Sequence, residues 1–396
     1  MKIFSTSFLL PALLLVSATS FAQRAKKIHF KSILIDTHND IPTTAIDKGV
    51  SFDQQLKHKT HSDLQRMKEG GVDAQFFSIW CDGNMKNPYG WANREIDTVL
   101  AWTNRNPTAM MQAFTTADIA GAARQKKLAV LFGVEGGHMI ENDLNKLDAL
   151  YKRGVRYMTV TWNNSTPWAT SALDEASAGG ALNSEGKKGL TDFGKQIIKR
   201  MNELGMLVDL SHVGEQTFWD AITTTTKPVL VSHSCVYTLC PHRRNLKDDQ
   251  IKALAKNGGV IHLNFYSGFL DPLFEARSDA FASKHKTEMD SMLKINPEPY
   301  FMQVYLFEKY PDEVKGLRPP LSLLLDHLDY IVKLVGVDYV GLGSDFDGVN
   351  SLPAGLDGVQ DFPKVTEELV KRGYSKKDIR KILGGNFLRV FAANEK

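Results

Sequence analysis

Six residues in this chain have the chemistry to hold metal ions, and each falls at the end of a short apolar run. His38 and Asp40 close the run Ile33–Ile41, and Glu135 closes Leu128–Glu135. His212 closes Met206–His212, His233 closes Pro228–His233, and Asp345 closes Tyr339–Asp345. Two residues apart on an extended segment, His38 and Asp40 can turn to the same side and grip one ion. Imidazole nitrogen and carboxylate oxygen suit Zn2+. A pair of metals about 3.5–4 Å apart also needs a bridging anion, and it turns a water held between them into a nucleophile near neutral pH. Glu135, with two oxygens, suits the bridge. His38 and Asp40 then complete one zinc site, and His212 and His233 the other. A lone His at a strand end is usually structural, and so we assign His138, His242, His262 and His327 to structural roles or to the support of the ligands. The set carries the argument.

The elements that must position such residues are legible as an alternation. Eight continuous apolar runs read as strands: the five above together with Val72–Trp80, Val155–Trp162 and Gly259–Tyr266. Continuous rather than alternating runs are expected of parallel strands buried on both faces. Amphipathic stretches between them, such as Asp143–Arg153, Thr191–Leu204, Lys247–Lys256 and Pro320–Val335, read as helices. Eight repeats of strand and helix favour an α/β fold closed as a (β/α)8 TIM-like barrel of the metal-dependent hydrolase type. Functional groups then sit at the C-terminal strand ends. No GxGxxG follows the first strand, which argues against a dinucleotide-binding sheet. Residues 23–396 read as a single domain. The stretch 267–315 reads as a helical insertion that could serve as lid, substrate wall or subunit contact, and a homodimer is allowed.

Composition narrows the partners. The chain of 396 residues is 43% hydrophobic and 23% charged, with a formal net charge of +3. It has no Lys/Arg-rich block suited to nucleic acid or an anionic membrane surface. Lys2, the apolar run Phe8–Val16 and the small residues Ser20 and Ala22 have the layout of a signal peptide over residues 1–22. That implies an exported protein, periplasmic or secreted, with no membrane span after cleavage. Three cysteines are too few for a disulfide framework; Cys235 and Cys240 are the nearest pair.

Several blocks in this order resemble the renal (membrane) dipeptidase family of metallopeptidases: IDTHNDIP (Ile35–Pro42), GVEGGH (Gly133–His138), VDLSHV (Val208–Val213), VSHS (Val231–Ser234), RRN (Arg243–Asn245), GSDFDG (Gly343–Gly348) and GNFLRVF (Gly385–Phe391). The resemblance implies two zinc ions on His38, Asp40, bridging Glu135, His212 and His233. It implies that Arg244 takes the substrate's C-terminal carboxylate, which suits the planar fork of a guanidinium. Asp345 would transfer a proton or anchor the free amine, so that Asp345 and Glu135 stand as the catalytic carboxylates. Tyr266 is a further candidate for the pocket lining. In the segment TVTWNNSTPW (Thr159–Trp168), mammalian members carry His where this chain has Trp162. An indole has one donor and no acid–base capacity. Trp162, Asn163, Asn164 or a zinc ion must then hold the oxyanion. The expected activity is hydrolysis of dipeptides, including those with a D-residue at the C-terminal position. Hydrolysis of an N-acyl amino acid and a non-catalytic binding role on the same barrel are the alternatives.

Overall fold

The computed structural model describes residues 21–177, 179–180, 182–294 and 299–396. The leader read from the sequence lies outside the described residues except for its last two. Residues 21–29 form a helix, and Ala25, Ile28 and His29 on it are buried.

Nine parallel strands build one sheet: β1 Ile35–Asn39, β2 Ala74–Ile79, β3 Met110–Gln112, β4 Leu128–Glu135, β5 Val155–Thr159, β6 Leu207–Asp209, β7 Leu230–Ser234, β8 Val260–Leu263 and β9 Val340–Leu342. The order is β1-β2-β4-β5-β6-β7-β8-β9, with β3 paired to β4 off the main path. Beyond β9 the chain returns to β1: Asn39 bridges Phe346 in parallel, and Asp345 N donates to His38 O at 3.1 Å. Eight strands thus form a nearly closed barrel with helices between them, a (β/α)8 TIM-like fold. All eight runs read as strands are present. The short β3 was not foreseen, since Met-Met-Gln carries little period-two signal.

Alternation along each strand sorts the core into two layers. Outward residues such as Phe77 and Ile79 of β2 and Val130, Phe132 and Val134 of β4 pack beneath the surrounding helices. One such helix, Asp192–Leu204, presents Ile197, Ile198 and Met201. It starts where Thr191 accepts a hydrogen bond from Gly194 N and stops at Gly205 in the left-handed region. Inward residues at the lower end are apolar: Ala74 and Phe76, Ala129 and Leu131, Leu207, Leu230 and Val260. The C-terminal helix Asn386–Asn394 closes this end with Phe387, Val390 and Phe391. The Phe387 ring meets Phe76 edge-on at 5.1 Å.

Further along the same inner faces stand Ser78, Glu135, Thr159, Asp209 and Ser232, all buried and polar. The barrel is therefore greasy below and polar above. Tyr157 spans the boundary: its ring stacks on Phe76 at 5.3 Å and its hydroxyl reaches the upper layer. Gly133 makes that possible, because a Cβ there would lie 1.9 Å from Tyr157 Cζ.

Between β8 and β9 run the helices Ser267–Leu270, Phe274–Lys284, Lys286–Leu293, Pro299–Lys309 and Pro311–Lys315. Phe274, Phe281, Leu306, Phe307 and Val314 give them a small core of their own. They are tied to the barrel mouth by Lys48–Glu308 at 3.4 Å and by Asn350 donating to Gln303 at 2.9 Å. No helix among the described residues is long and apolar enough to cross a membrane.

Candidate metal centre

The strands stop earlier than the apolar runs suggest, and the residues beyond them turn sharply. β6 ends at Asp209 and β9 at Leu342, so His212 and Asp345 each stand three residues past a strand. Both adopt positive φ, 63° and 62°, as does Asp347 at 66°. Non-glycine residues in that region are uncommon and cluster where side chains are aimed for function. The turns swing these side chains back over the barrel axis.

His38, Asp40, Glu135, His212, His233 and Asp345 are all buried and meet there. The two oxygens of Glu135 face different partners. Oε1 lies 2.9 Å from His212 Nε2 and 3.5 Å from His233 Nε2, while Oε2 lies 3.4 Å from His38 Nε2 and accepts from Ser78 Oγ at 3.1 Å. His38 Nε2 is also 3.5 Å from Asp40 Oδ2. Ligand atoms of His38, Glu135 and His233, and of His38, Asp40 and Asp345, fall within 4.8 Å of one another.

These side chains fit metal ions rather than one another. His38 Nε2 and Asp40 Oδ2 are buried without a hydrogen-bond partner, a costly state for a core polar atom. His212 Nε2 and His233 Nε2 approach to 3.0 Å beside the carboxylate. Burial, with Arg244 next in size, pushes the His212 imidazole down to about 3. Burial, with the charge of His38, pushes His233 well below its ordinary value. Both are thus neutral, as ligation requires. Burial also opposes charge on His38, but the pull of Glu135 and Asp40 lifts it to about 10. A cation is what this acidic nest demands. Burial raises both Asp40 and Asp345, with repulsion from Glu135 adding to it and His38 opposing it.

The remaining candidates surround this centre. Arg244 is 5% exposed and donates from Nη2 to His233 O at 3.2 Å, with its guanidinium 5.4 Å over the Phe269 ring. No carboxylate among the described residues forms a salt bridge with it, and its Nε has no partner. Burial lowers its pKa to about 10, opposed by Asp345 and Glu135. Tyr266 packs edge-on against Phe269 at 5.0 Å and bonds Glu275 through its hydroxyl. Trp162 meets Trp80 at 5.0 Å and stands 6.4 Å from His212, forming an aromatic wall. Asn163 Oδ1 lies 3.0 Å from His212 Nδ1, so it braces that imidazole instead of facing only the pocket. Asp345 Oδ2 accepts from Asn264 Nδ2 at 2.7 Å.

Tyr157, Asp209, Ser232 and Asn264, which hydrogen-bond the clustered side chains or their immediate neighbours, were not singled out in the sequence. Their signal is the period-two continuation of the inner face past the apolar layer. His262 and His327 are structural: His262 Nδ1 donates to Leu342 O at 2.9 Å, and His327 joins Val236 N to Leu270 O. Cys81, Cys235 and Cys240 are buried free thiols.

Comparison with known proteins places the fold and the family. The probable dipeptidase PvdM from Pseudomonas aeruginosa superposes with a TM-score of 0.78 at 25% identity, over 95% of this chain and 98% of that one. A metallopeptidase from Rhodobacter sphaeroides, liganded with a phosphinate mimic of the dipeptide L-Ala-D-Ala, gives 0.71 at 21% identity over 92% and 100%. The metallopeptidase dipeptidase AC gives 0.74 at 22% over 92% and 98%. The sequence profile of the membrane dipeptidases, peptidase family M19, matches residues 22–396. The chain belongs to that metallopeptidase family.

Proposed function

We propose that the protein is a zinc-dependent dipeptidase holding two metal ions on His38, Asp40, Glu135, His212 and His233, with Glu135 as the bridge. The observation that carries this reading is Arg244. It is a buried guanidinium with no salt-bridged carboxylate among the described residues, anchored on the backbone of the ligand His233. A buried cation of this kind is costly unless an anion pairs with it, and a dipeptide's C-terminal carboxylate is the anion of matching shape.

Zinc, when bound, polarises a carbonyl and acidifies a water. The chain's own groups do the rest. Arg244 fixes one end of the substrate, so only short peptides place their scissile bond over Glu135. Asn264 holds Asp345 Oδ2, which keeps that carboxylate aimed at the centre. Burial raises the pKa of that carboxyl, which favours its taking a proton at one oxygen and returning it to the leaving amine. Trp162 and Trp80 exclude water from one side, and the Trp162 indole or the Asn163 or Asn164 amide supplies the donor that a His would otherwise bring. Tolerance of a D-residue at the C-terminal position is part of the proposal, supported by the L-Ala-D-Ala mimic bound to the Rhodobacter relative. The leader-like residues 1–22 support export to the periplasm or outside the cell.

The test combines metal analysis with a panel of L,L- and L,D-dipeptides assayed with and without a chelator. We expect two zinc ions per chain and hydrolysis that chelation abolishes and zinc restores. Less than one metal per chain after native purification, or hydrolysis indifferent to chelation, overturns the proposal.

A further inference from the structure

A histidine ligates through whichever nitrogen lacks a proton, and the hydrogen bond at the other nitrogen decides which that is. Around His233 that bond is fixed by a buried chain of three side chains. Ser232 Oγ donates to Asp209 Oδ2 at 2.6 Å. A hydroxyl has one proton, so toward His233 Nδ1, 2.8 Å away, Ser232 can only accept. The proton between them therefore belongs to His233 Nδ1, and Nε2 carries the lone pair that faces Glu135 and His212.

Asp209 is held as rigidly as the group it governs. It is fully buried, and its Oδ1 accepts from Ser232 N at 2.8 Å and Ser211 N at 3.2 Å. Thr159 Oγ1 donates to Oδ2 at 2.6 Å. Every donor to it is neutral, and it forms no salt bridge among the described residues. A fully buried carboxylate with no salt-bridged cation is expensive to keep, and packing gives no reason for it. His212 Nδ1 faces Asn163 Oδ1 at 3.0 Å, a neutral amide with no buried carboxylate relay behind it.

We propose that Asp209, acting through Ser232, is a positioning residue that sets the tautomer of His233 and thereby keeps its Nε2 open for metal. The inference rests on the zinc reading above, but its direct readout does not.

The decisive variant is Asp209→Asn, which keeps the size and replaces one acceptor by a donor. Its NH2 turned to Ser232 makes that hydroxyl donate to His233 Nδ1 and moves the imidazole proton to Nε2, where it blocks ligation. Nitrogen-15 NMR of histidine-labelled, zinc-free protein reads the tautomer; competition with a chromogenic chelator reads zinc affinity. We expect Nδ1–H at His233 in the wild type and Nε2–H in the variant. Zinc affinity should fall about 10- to 100-fold at the weakened site. Nε2–H in the wild type, or an unchanged tautomer and affinity in the variant, overturns the proposal. If wild-type protein binds no zinc, the zinc reading fails while the tautomer still decides this one. Should Asp209→Asn not fold, Ser232→Ala with Ser232→Thr as rescue replaces it: loss of affinity in the first, recovered in the second, is required.

Discussion

At the residue scale the buried cluster of His38, Asp40, Glu135, His212, His233 and Asp345 stands apart from Arg244, a buried guanidinium with no salt-bridged carboxylate among the described residues. On the proposed dipeptidase reading the consequence for Arg244 is sharp. Replacing it with Ala removes a charge-assisted hydrogen-bonding fork worth about 1.5–3 kcal/mol, or roughly 10- to 150-fold in affinity. We expect KM for dipeptides to rise by that order while zinc content stays at the wild-type level. Dipeptide amides, which lack the carboxylate, should be nearly indifferent to the change. Steady-state kinetics on paired free-acid and amide substrates check this; equal losses on both would remove Arg244 from carboxylate recognition. The residues that cluster at the barrel mouth were legible as candidates because each sits at the end of an apolar run, where a polar side chain has no packing excuse. Asp209 and Ser232 sit in the same runs, but nothing in residue type separates a buried positioning carboxylate from a solvated one. Only the hydrogen bonds do.

Elements matter here through their ends. β5, β6 and β9 are shorter than their apolar runs because the last residues leave the ladder to turn over the mouth. Local composition cannot foretell this: His212 and Asp345 take φ values that their side chains disfavour, and tertiary packing overrides the preference. The opposite end of the barrel is governed by the C-terminal helix Asn386–Asn394, whose block Gly385–Phe391 stood out in the sequence only as part of the family resemblance. Its Phe387 is fully buried against Phe76 and His262 inside the barrel. Phe387→Ala should cost about 3–5 kcal/mol, because rigid strands on all sides cannot collapse into the gap. Chemical denaturation measures the loss. Zinc stoichiometry should be unchanged, since two layers of side chains separate Phe387 from Glu135. A loss under 1 kcal/mol would mean that the helix does not plug the barrel.

Across the whole molecule, buried neutral histidines couple distant segments and make stability depend on pH. His327 joins the helix Leu321–Val335 to the segments after β7 and β8, taking Val236 N at 3.0 Å and giving to Leu270 O at 3.1 Å. Burial lowers its pKa to about 4, opposed by the bond to Leu270. The folded value lies below the unfolded value of about 6.5, so the unfolded chain takes up the proton first. Its contribution to stability is therefore complete above about pH 6.5 and is lost progressively as pH falls toward 4. At about 1.4 kcal/mol per unit this reaches roughly 3 kcal/mol. His262, lowered by burial to about 4, acts in the same sense. Asp36 and Asp73, which burial raises to about 6, act in the opposite sense over about pH 6 to 4. A bare stability profile mixes these groups. Comparison of wild type with His327→Gln isolates one, because the carboxyls are common to both proteins. Gln can still accept and donate but does not titrate. We expect it to be less stable at pH 7 and to close the gap with the wild type by roughly 3 kcal/mol between pH 6.5 and 4. Denaturation on the zinc-free proteins keeps metal release out of the comparison, and parallel profiles would show that His327 keeps its ordinary pKa in the fold.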